Sequence, residues 1–224
     1  MNDVVDVLAF DRDGALEESA ANVGVSRRSV LRLAAVGGGG LLGSAAFLGT
    51  LAGPAGAVSK ATAGDVAILN YALTLEYLEE AFYSDVQKNR ILKGRMKTFA
   101  EVASRDEAQH RAFLVKALGA KAVKRPTFDF GSATSSAAAF AKTAIALEDT
   151  GVSAYAGQGP RIKDQKILAA ALSVHSVEAR HAAWIRGLVN SPGRQGSPAP
   201  APFDPSRTMT QVLGIVKGTG FITG

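Results

Sequence analysis

The chain has 224 residues, of which 47% are hydrophobic and 7% aromatic, and it carries a formal net charge of +5. It contains no cysteine, which excludes disulfides, thiolate metal sites, iron–sulfur clusters and thiol nucleophiles. The basic surplus forms no stripe interleaved with aromatic residues, so we expect a solvated surface and no nucleic-acid partner.

The first 57 residues are predicted to direct export. Arg27 and Arg28 precede a modestly apolar stretch, residues 33–52, and a small-x-small cleavage pattern follows at 55–57. This arrangement resembles a twin-arginine signal, which implies transport of a folded protein by the export machinery. We predict cleavage after Ala57 and a periplasmic, cell-envelope or secreted location. The alternative is an uncleaved glycine-rich membrane anchor, since the stretch is about long enough to span a bilayer.

Four long segments with helical periodicity follow the leader. They run over about 62–89, 95–118, 135–157 and 164–189, with Thr62 or Asp65 as the cap of the first and Gly119 as the end of the second. This pattern predicts an all-α fold, an antiparallel four-helix bundle with one crossover connection, over residues 58–190. Residues 191–224 form a Pro-rich C-terminal extension, in which 208–217 favour a fifth short helix that packs on one end.

Two of the three histidines stand three residues after a glutamate: Glu107 before His110, and Glu178 before His181. Residues at i and i+3 share one face of a helix, so each pair can point at one ion. Both pairs lie on apolar stripes that should face the core, whereas Asp106 is expected to project away from it. A carboxylate in a core must be paired, protonated or bound to a metal.

The other two long helices each supply a further acid on an apolar stripe, Glu76 and Glu148. Each is followed seven residues later, on the same face, by a tyrosine, Tyr83 or Tyr155. The two Glu-x-x-His motifs stand 31 and 30 residues after these acids, which indicates two similar helical hairpins. Four buried acids without a buried base require cations, and two divalent ions would balance them. Carboxylate and imidazole ligands together suit iron, manganese or zinc better than magnesium or calcium.

The sequence around these acids resembles the secreted ferritin-like domain family related to desiccation-associated proteins. The resemblance covers about residues 60–205 and rests on segments 69–76, 147–152 and 177–183. It implies a di-iron carboxylate centre. It further implies ligand roles: Glu107 and Glu178 would bridge two ions, Glu76 and Glu148 would be terminal ligands, and His110 and His181 would each bind one ion.

Several residues near the motifs have open roles. We consider Tyr83, Tyr155, Asp149 and His175 as supporting residues around the metal ligands: the tyrosines could bond ligand carboxylates or only pack, Asp149 could orient a ligand histidine or lie at the surface, and His175 could be a boundary residue. Glu79 and Glu80 follow Glu76 by one turn. Either could replace or assist Glu76 as a ligand, but a position on the hydrated face of the helix explains one of them better.

Two functional hypotheses follow from the sequence. The first is an oxidase, ferroxidase or peroxide-scavenging centre, with dioxygen or peroxide as the partner. The second is a non-catalytic protein of the cell envelope, in which metal ions stabilise the bundle and the role is structural or stress-protective. A homodimer is compatible with either. The Pro-rich C-terminal segment argues against a 24-subunit storage cage.

Overall fold

A computed structural model describes residues 61–189 and 197–224, so the expected leader and signal, together with the first residues of the C-terminal connector, lie outside the described residues. The described part contains the helices α1 (Ala63–Asn89), α2 (Gly94–Leu118), α3 (Ala137–Gln158), α4 (Gln165–Val189) and α5 (Met209–Thr219). The predicted all-α class is confirmed, and the boundaries differ from those expected by two residues at most. None of these helices is long and apolar enough to cross a bilayer.

Local side-chain chemistry explains where the long helices begin. Thr62 and Asp65 form a capping box at the start of α1, in which each side chain accepts a hydrogen bond from the other residue's backbone N–H. Asp65 also accepts a hydrogen bond of 2.8 Å from the backbone N–H of Lys163, which ties α1 to the loop before α4. Ser136 caps α3 by accepting from the backbone N–H of Ala139.

The four long helices form two antiparallel hairpins, α1 with α2 and α3 with α4. The hairpins meet through α1 against α3 and α2 against α4, so the connection from α2 to α3 joins diagonally opposite helices. It must run the length of the bundle, because Asn89 at the end of α1 donates hydrogen bonds to Thr134 just before α3. All neighbouring helices are therefore antiparallel, and the middle segments of all four face a common core.

The C-terminal segment packs against this bundle. Helix α5 contacts α3, and its Val212 and Val216 belong to the buried core. The preceding chain crosses α3 closely: Arg207 donates a backbone hydrogen bond of 3.1 Å to the carbonyl of Ser153. A Cβ at Gly157 would lie 1.8 Å from the Arg207 carbonyl oxygen, so only glycine permits this approach.

Candidate metal centre

Six side chains from the four long helices converge at the middle of the bundle. The four glutamates are 0% exposed, and the two histidines are 8% and 3% exposed. They form two groups, each of which could hold a metal ion: Glu76, Glu107, His110 and Glu178 in one, and Glu107, Glu148, Glu178 and His181 in the other. Within each group the candidate ligand atoms lie within 4.8 Å of one another, and Glu107 and Glu178 belong to both groups.

Both histidines face the carboxylates through Nδ1. His110 Nδ1 lies 3.0 Å from Glu107 Oε2, 3.1 Å from Glu178 Oε1 and 3.4 Å from Glu76 Oε2. His181 Nδ1 lies 3.0 Å from Glu107 Oε1 and 3.4 Å from Glu148 Oε2. Glu107 therefore presents one oxygen to each histidine and stands between the two groups.

Many of these buried atoms lack a hydrogen bond of acceptable geometry despite such short separations. The atoms without a partner among the described residues are Glu76 Oε2, Glu107 Oε1, Glu148 Oε2, both carboxylate oxygens of Glu178, and His181 Nδ1. Leaving a buried polar atom unpaired costs about 1–3 kcal/mol. Nitrogen and oxygen lone pairs that converge without bonding to each other are the donor set that a divalent transition metal takes, so these residues fit a metal site.

The charge of the cluster leads to the same conclusion. Burial raises the pKa of Glu76 to about 7, although His110 opposes the shift. Burial and the charge of Glu107 raise the pKa of Glu178 well above its usual range. Burial would lower the pKa of His110, but the charges of Glu107 and Glu76 raise it instead. Without a metal, the cluster therefore keeps protons that bound cations would displace.

Comparison of the sequence with known protein families agrees with the helical-bundle fold. The family model named ferritin-like domain matches residues 64–191, more than half of the chain. The chain belongs to the ferritin-like domain family. No curated protein matches it closely enough to count as a relative.

Two tyrosines of this ferritin-like bundle hold carboxylates of the opposite hairpin. Tyr83 on α1 donates its hydroxyl hydrogen bond to Glu148 Oε1 on α3. Tyr155 on α3 donates to Glu76 Oε1 on α1, at 2.5 Å. Each bond occupies one oxygen of its glutamate and leaves the Oε2 atom facing the cluster. The tyrosines therefore link the hairpins reciprocally, a contact that spacing along a single helix does not reveal.

One expectation about the surrounding acids needs correction. Asp149, for which the sequence left open a histidine-orienting role or a surface position, accepts a hydrogen bond from Arg186 at the side of the bundle. The acid that reaches a histidine is Asp106, which was expected to project away from the core: its Oδ2 lies 3.3 Å from His181 Nε2. It does so because α2 and α4 are neighbours, so a residue on the flank of α2 faces α4. Carboxylates in this position orient metal-binding imidazoles.

The structure also separates the roles of Glu79 and Glu80. Glu80 pairs with Arg111 and Arg125 near the surface. Glu79 is 3% exposed, and burial followed by the charge of Glu178 raises its pKa well above the usual range. A Cβ built on Gly151 would lie 3.3 Å from both Glu79 Oε1 and Glu178 Oε2. The core therefore contains a fifth glutamate, beside Glu178 and against a glycine of α3.

His175 does not belong to either candidate metal group. It lines a depression of about 360 Å³ between α3 and α4, together with Tyr155 and Leu172. Its Nε2 is buried and has no hydrogen-bond partner among the described residues. The boundary position considered from the sequence describes it best.

Proposed function

We propose that this ferritin-like protein binds two metal ions, iron in preference to manganese or zinc, and uses them to reduce dioxygen or peroxide. The observation that carries the proposal is the pair of candidate groups in the core that share Glu107 and Glu178. Two groups with two members in common would hold two ions side by side, as the residues of two-metal centres do.

The geometry supports a division of roles among the six residues. Glu107 and Glu178 are the candidates to bridge both ions, since both belong to each group. Glu76 with His110 would complete the first ion's ligands, and Glu148 with His181 those of the second. Each ion then has one imidazole and one carboxylate of its own, and four carboxylates balance two divalent ions.

A pair of ferrous ions supplies two electrons when bound, enough to reduce dioxygen with two protons to hydrogen peroxide, or peroxide with two protons to two waters, as both ions become ferric. The chain's own residues set the conditions for this chemistry. Tyr83 and Tyr155 fix the orientation of Glu148 and Glu76 by their hydrogen bonds. Asp106 fixes the ring of His181. Burial of all six groups limits the access of bulk water.

The proposal is tested by loading the full chain with ferrous iron without oxygen, and then mixing it with dioxygen or peroxide. The wild-type protein should bind two irons and consume one oxidant molecule for every two irons oxidised. Glu107→Gln should lose both the iron and the oxidant consumption. Glu101→Gln on the same helix is the matched control, because Glu101 only pairs with Lys97 at the surface. Bound iron without oxidant consumption would support the non-catalytic, metal-stabilised role and overturn this proposal.

We propose in addition that the protein is exported through the twin-arginine route and cleaved after Ala57. The supporting feature is the sequence at Arg27 and Arg28 with the cleavage pattern at 55–57. Replacing both arginines by lysine should leave the full-length protein inside the cell, whereas the unaltered protein should be found outside the cytoplasm with Val58 as its first residue. An unaltered protein that keeps its leader in the cytoplasm would contradict this route.

A further inference from the structure

The two ends of the bundle core are filled differently. At one end, Phe82, Tyr83, Phe99 and Phe140 are 0% exposed and pack ring against ring, with centroids 5.3–6.2 Å apart. The opposite end, beyond Glu76 and His110, is lined mainly by aliphatic side chains, together with Tyr71, Phe113 and Tyr155, and contains a cavity of about 40 Å³. This cavity is lined by all four long helices, with Ala72, Leu75, Leu114, Ala154, Ala171 and Val174 among its walls.

The cavity adjoins the metal centre. Ala72 lies one helical turn before Glu76, and Val174 lies one turn before Glu178. Tyr155 lines the cavity, and its hydroxyl lies 2.5 Å from Glu76 Oε1. A molecule in the cavity would therefore be separated from the carboxylate cluster by little more than this side chain.

The cavity also adjoins the surface. Tyr155 and Ala171 line both the cavity and the depression of about 360 Å³ that contains His175. Tyr155 is partly exposed, whereas Tyr83, its counterpart at the aromatic end, is fully buried. The two hollows and the tyrosine between them form a candidate route from solvent to the cluster at this end of the bundle.

From this placement we infer that dioxygen reaches the metal centre through the cavity behind Tyr155, which makes dioxygen rather than peroxide the oxidant of the proposed reaction. The inference rests on the proposed function. Size limits the occupant to a small molecule, since benzene occupies apolar cavities of about 150 Å³ and this cavity is much smaller. Polarity then favours dioxygen over peroxide, because transfer of a hydroxyl group into an apolar space without a hydrogen bond costs roughly 2–7 kcal/mol.

Water is the competing occupant. Two polar atoms on residues of the lining, Tyr71 Oη and Gln158 Nε2, are buried without a partner among the described residues, and ordered waters bind such atoms. Water filling the whole cavity would leave no apolar space for a gas. Xenon distinguishes the two occupants, because it enters dry apolar cavities and reports its position directly.

The test is a crystal of the wild-type protein pressurised with xenon, together with the rates at which dioxygen and peroxide oxidise the iron-loaded protein. We expect xenon among Ala72, Ala154 and Val174. Ala171→Leu should abolish the xenon peak and slow oxidation by dioxygen, with the rate for peroxide unchanged. Ala169→Leu is the matched control, on the same helix and also half-buried but outside the cavity lining.

The possible results separate this inference from the proposed function. Waters in place of xenon, or equal effects of Ala171→Leu on both oxidants, would overturn the dioxygen route while leaving iron oxidation intact. Xenon in the cavity of a protein that oxidises no iron would overturn the proposed function, and the oxidant assignment with it.

Discussion

The two helical hairpins carry the same ligand pattern but differ around it. The first provides Glu76, Glu107 and His110, and the second provides Glu148, Glu178 and His181. Tyr83 and Tyr155 match as well, and each bonds the other hairpin's glutamate. Both halves thus supply the same set of candidate metal ligands, and the differences lie in the residues around these ligands.

Two differences set the halves apart. Asp106, next to Glu107, contacts His181, whereas the corresponding residue beside Glu178 is Val177. Glu79 follows Glu76 by three residues, and Gly151 takes the same place after Glu148. These substitutions make the two predicted ions inequivalent, since one histidine has a carboxylate partner and one flank of the cluster has an extra acid.

Removal of the proposed metal ions should have the largest effect. Without metal, the raised pKa values of Glu76, about 7, and of His110 mean that the native state binds more protons than the unfolded chain. The stability of the metal-free protein should therefore fall as pH rises from about 5 to 8. Metal should add about 4 kcal/mol for one site at a concentration about a thousand times its Kd. At a fixed metal concentration this gain should grow as pH rises and protons leave the ligands.

Thermal unfolding of chelated and reloaded protein at pH 5 and pH 8 measures this difference. The gap in Tm should be wider at pH 8. A gap that is absent, or that narrows as pH rises, would show that protons and metal do not compete for the cluster.

Asp106→Asn should increase the difference in affinity between the two proposed metal sites. Loss of a carboxylate behind a metal-binding imidazole costs about 10–100-fold in metal affinity. The loss should fall on the ion beside His181, so that a zinc titration followed by calorimetry separates into two steps. Asp149→Asn is the control, because Asp149 pairs with Arg186 and contacts neither histidine. An equal loss of affinity for both ions in Asp106→Asn would contradict the predicted difference between the two sites.

The two tyrosines should differ in their cost to stability. Tyr83→Phe leaves Glu148 Oε1 unpaired in a fully buried site, which costs about 1–3 kcal/mol. Tyr155→Phe should cost less, because Tyr155 is partly exposed at the surface depression, where solvent can partly replace its hydroxyl. Urea unfolding of both variants gives the free energies, and a larger loss for Tyr155→Phe would contradict the account of the two ends.

Gly151→Ala should change stability least. Alanine gains about 1 kcal/mol of helix propensity over glycine, and crowding of the new Cβ against Glu79 and Glu178 at 3.3 Å should offset the gain. Gly187→Ala on α4, where the new Cβ has only ordinary contacts, should keep the gain. Metal affinity should fall for Gly151→Ala alone, and an unchanged affinity would show that the glycine is not needed for the cluster.

The sequence was sufficient for the long helices and for the convergence of Glu107 and Glu178. Helix caps and helical periodicity depend on residues close together in the sequence, and a charged residue on an apolar stripe indicates a buried site. Contacts between residues of different helices could not be predicted from these local patterns. Asp106 lies on the flank of its helix and becomes a partner of His181 only because α2 and α4 are neighbours. The cavity depends on how four helices pack together, which no single segment encodes.

The most direct test of the account is the metal content of the native protein, purified without added metal and measured by elemental analysis beside Glu107→Gln. We predict two transition-metal ions per chain in the native protein and their joint loss in the variant, because Glu107 belongs to both candidate groups. A native protein without metal, or one whose metal content survives Glu107→Gln, would contradict the shared centre.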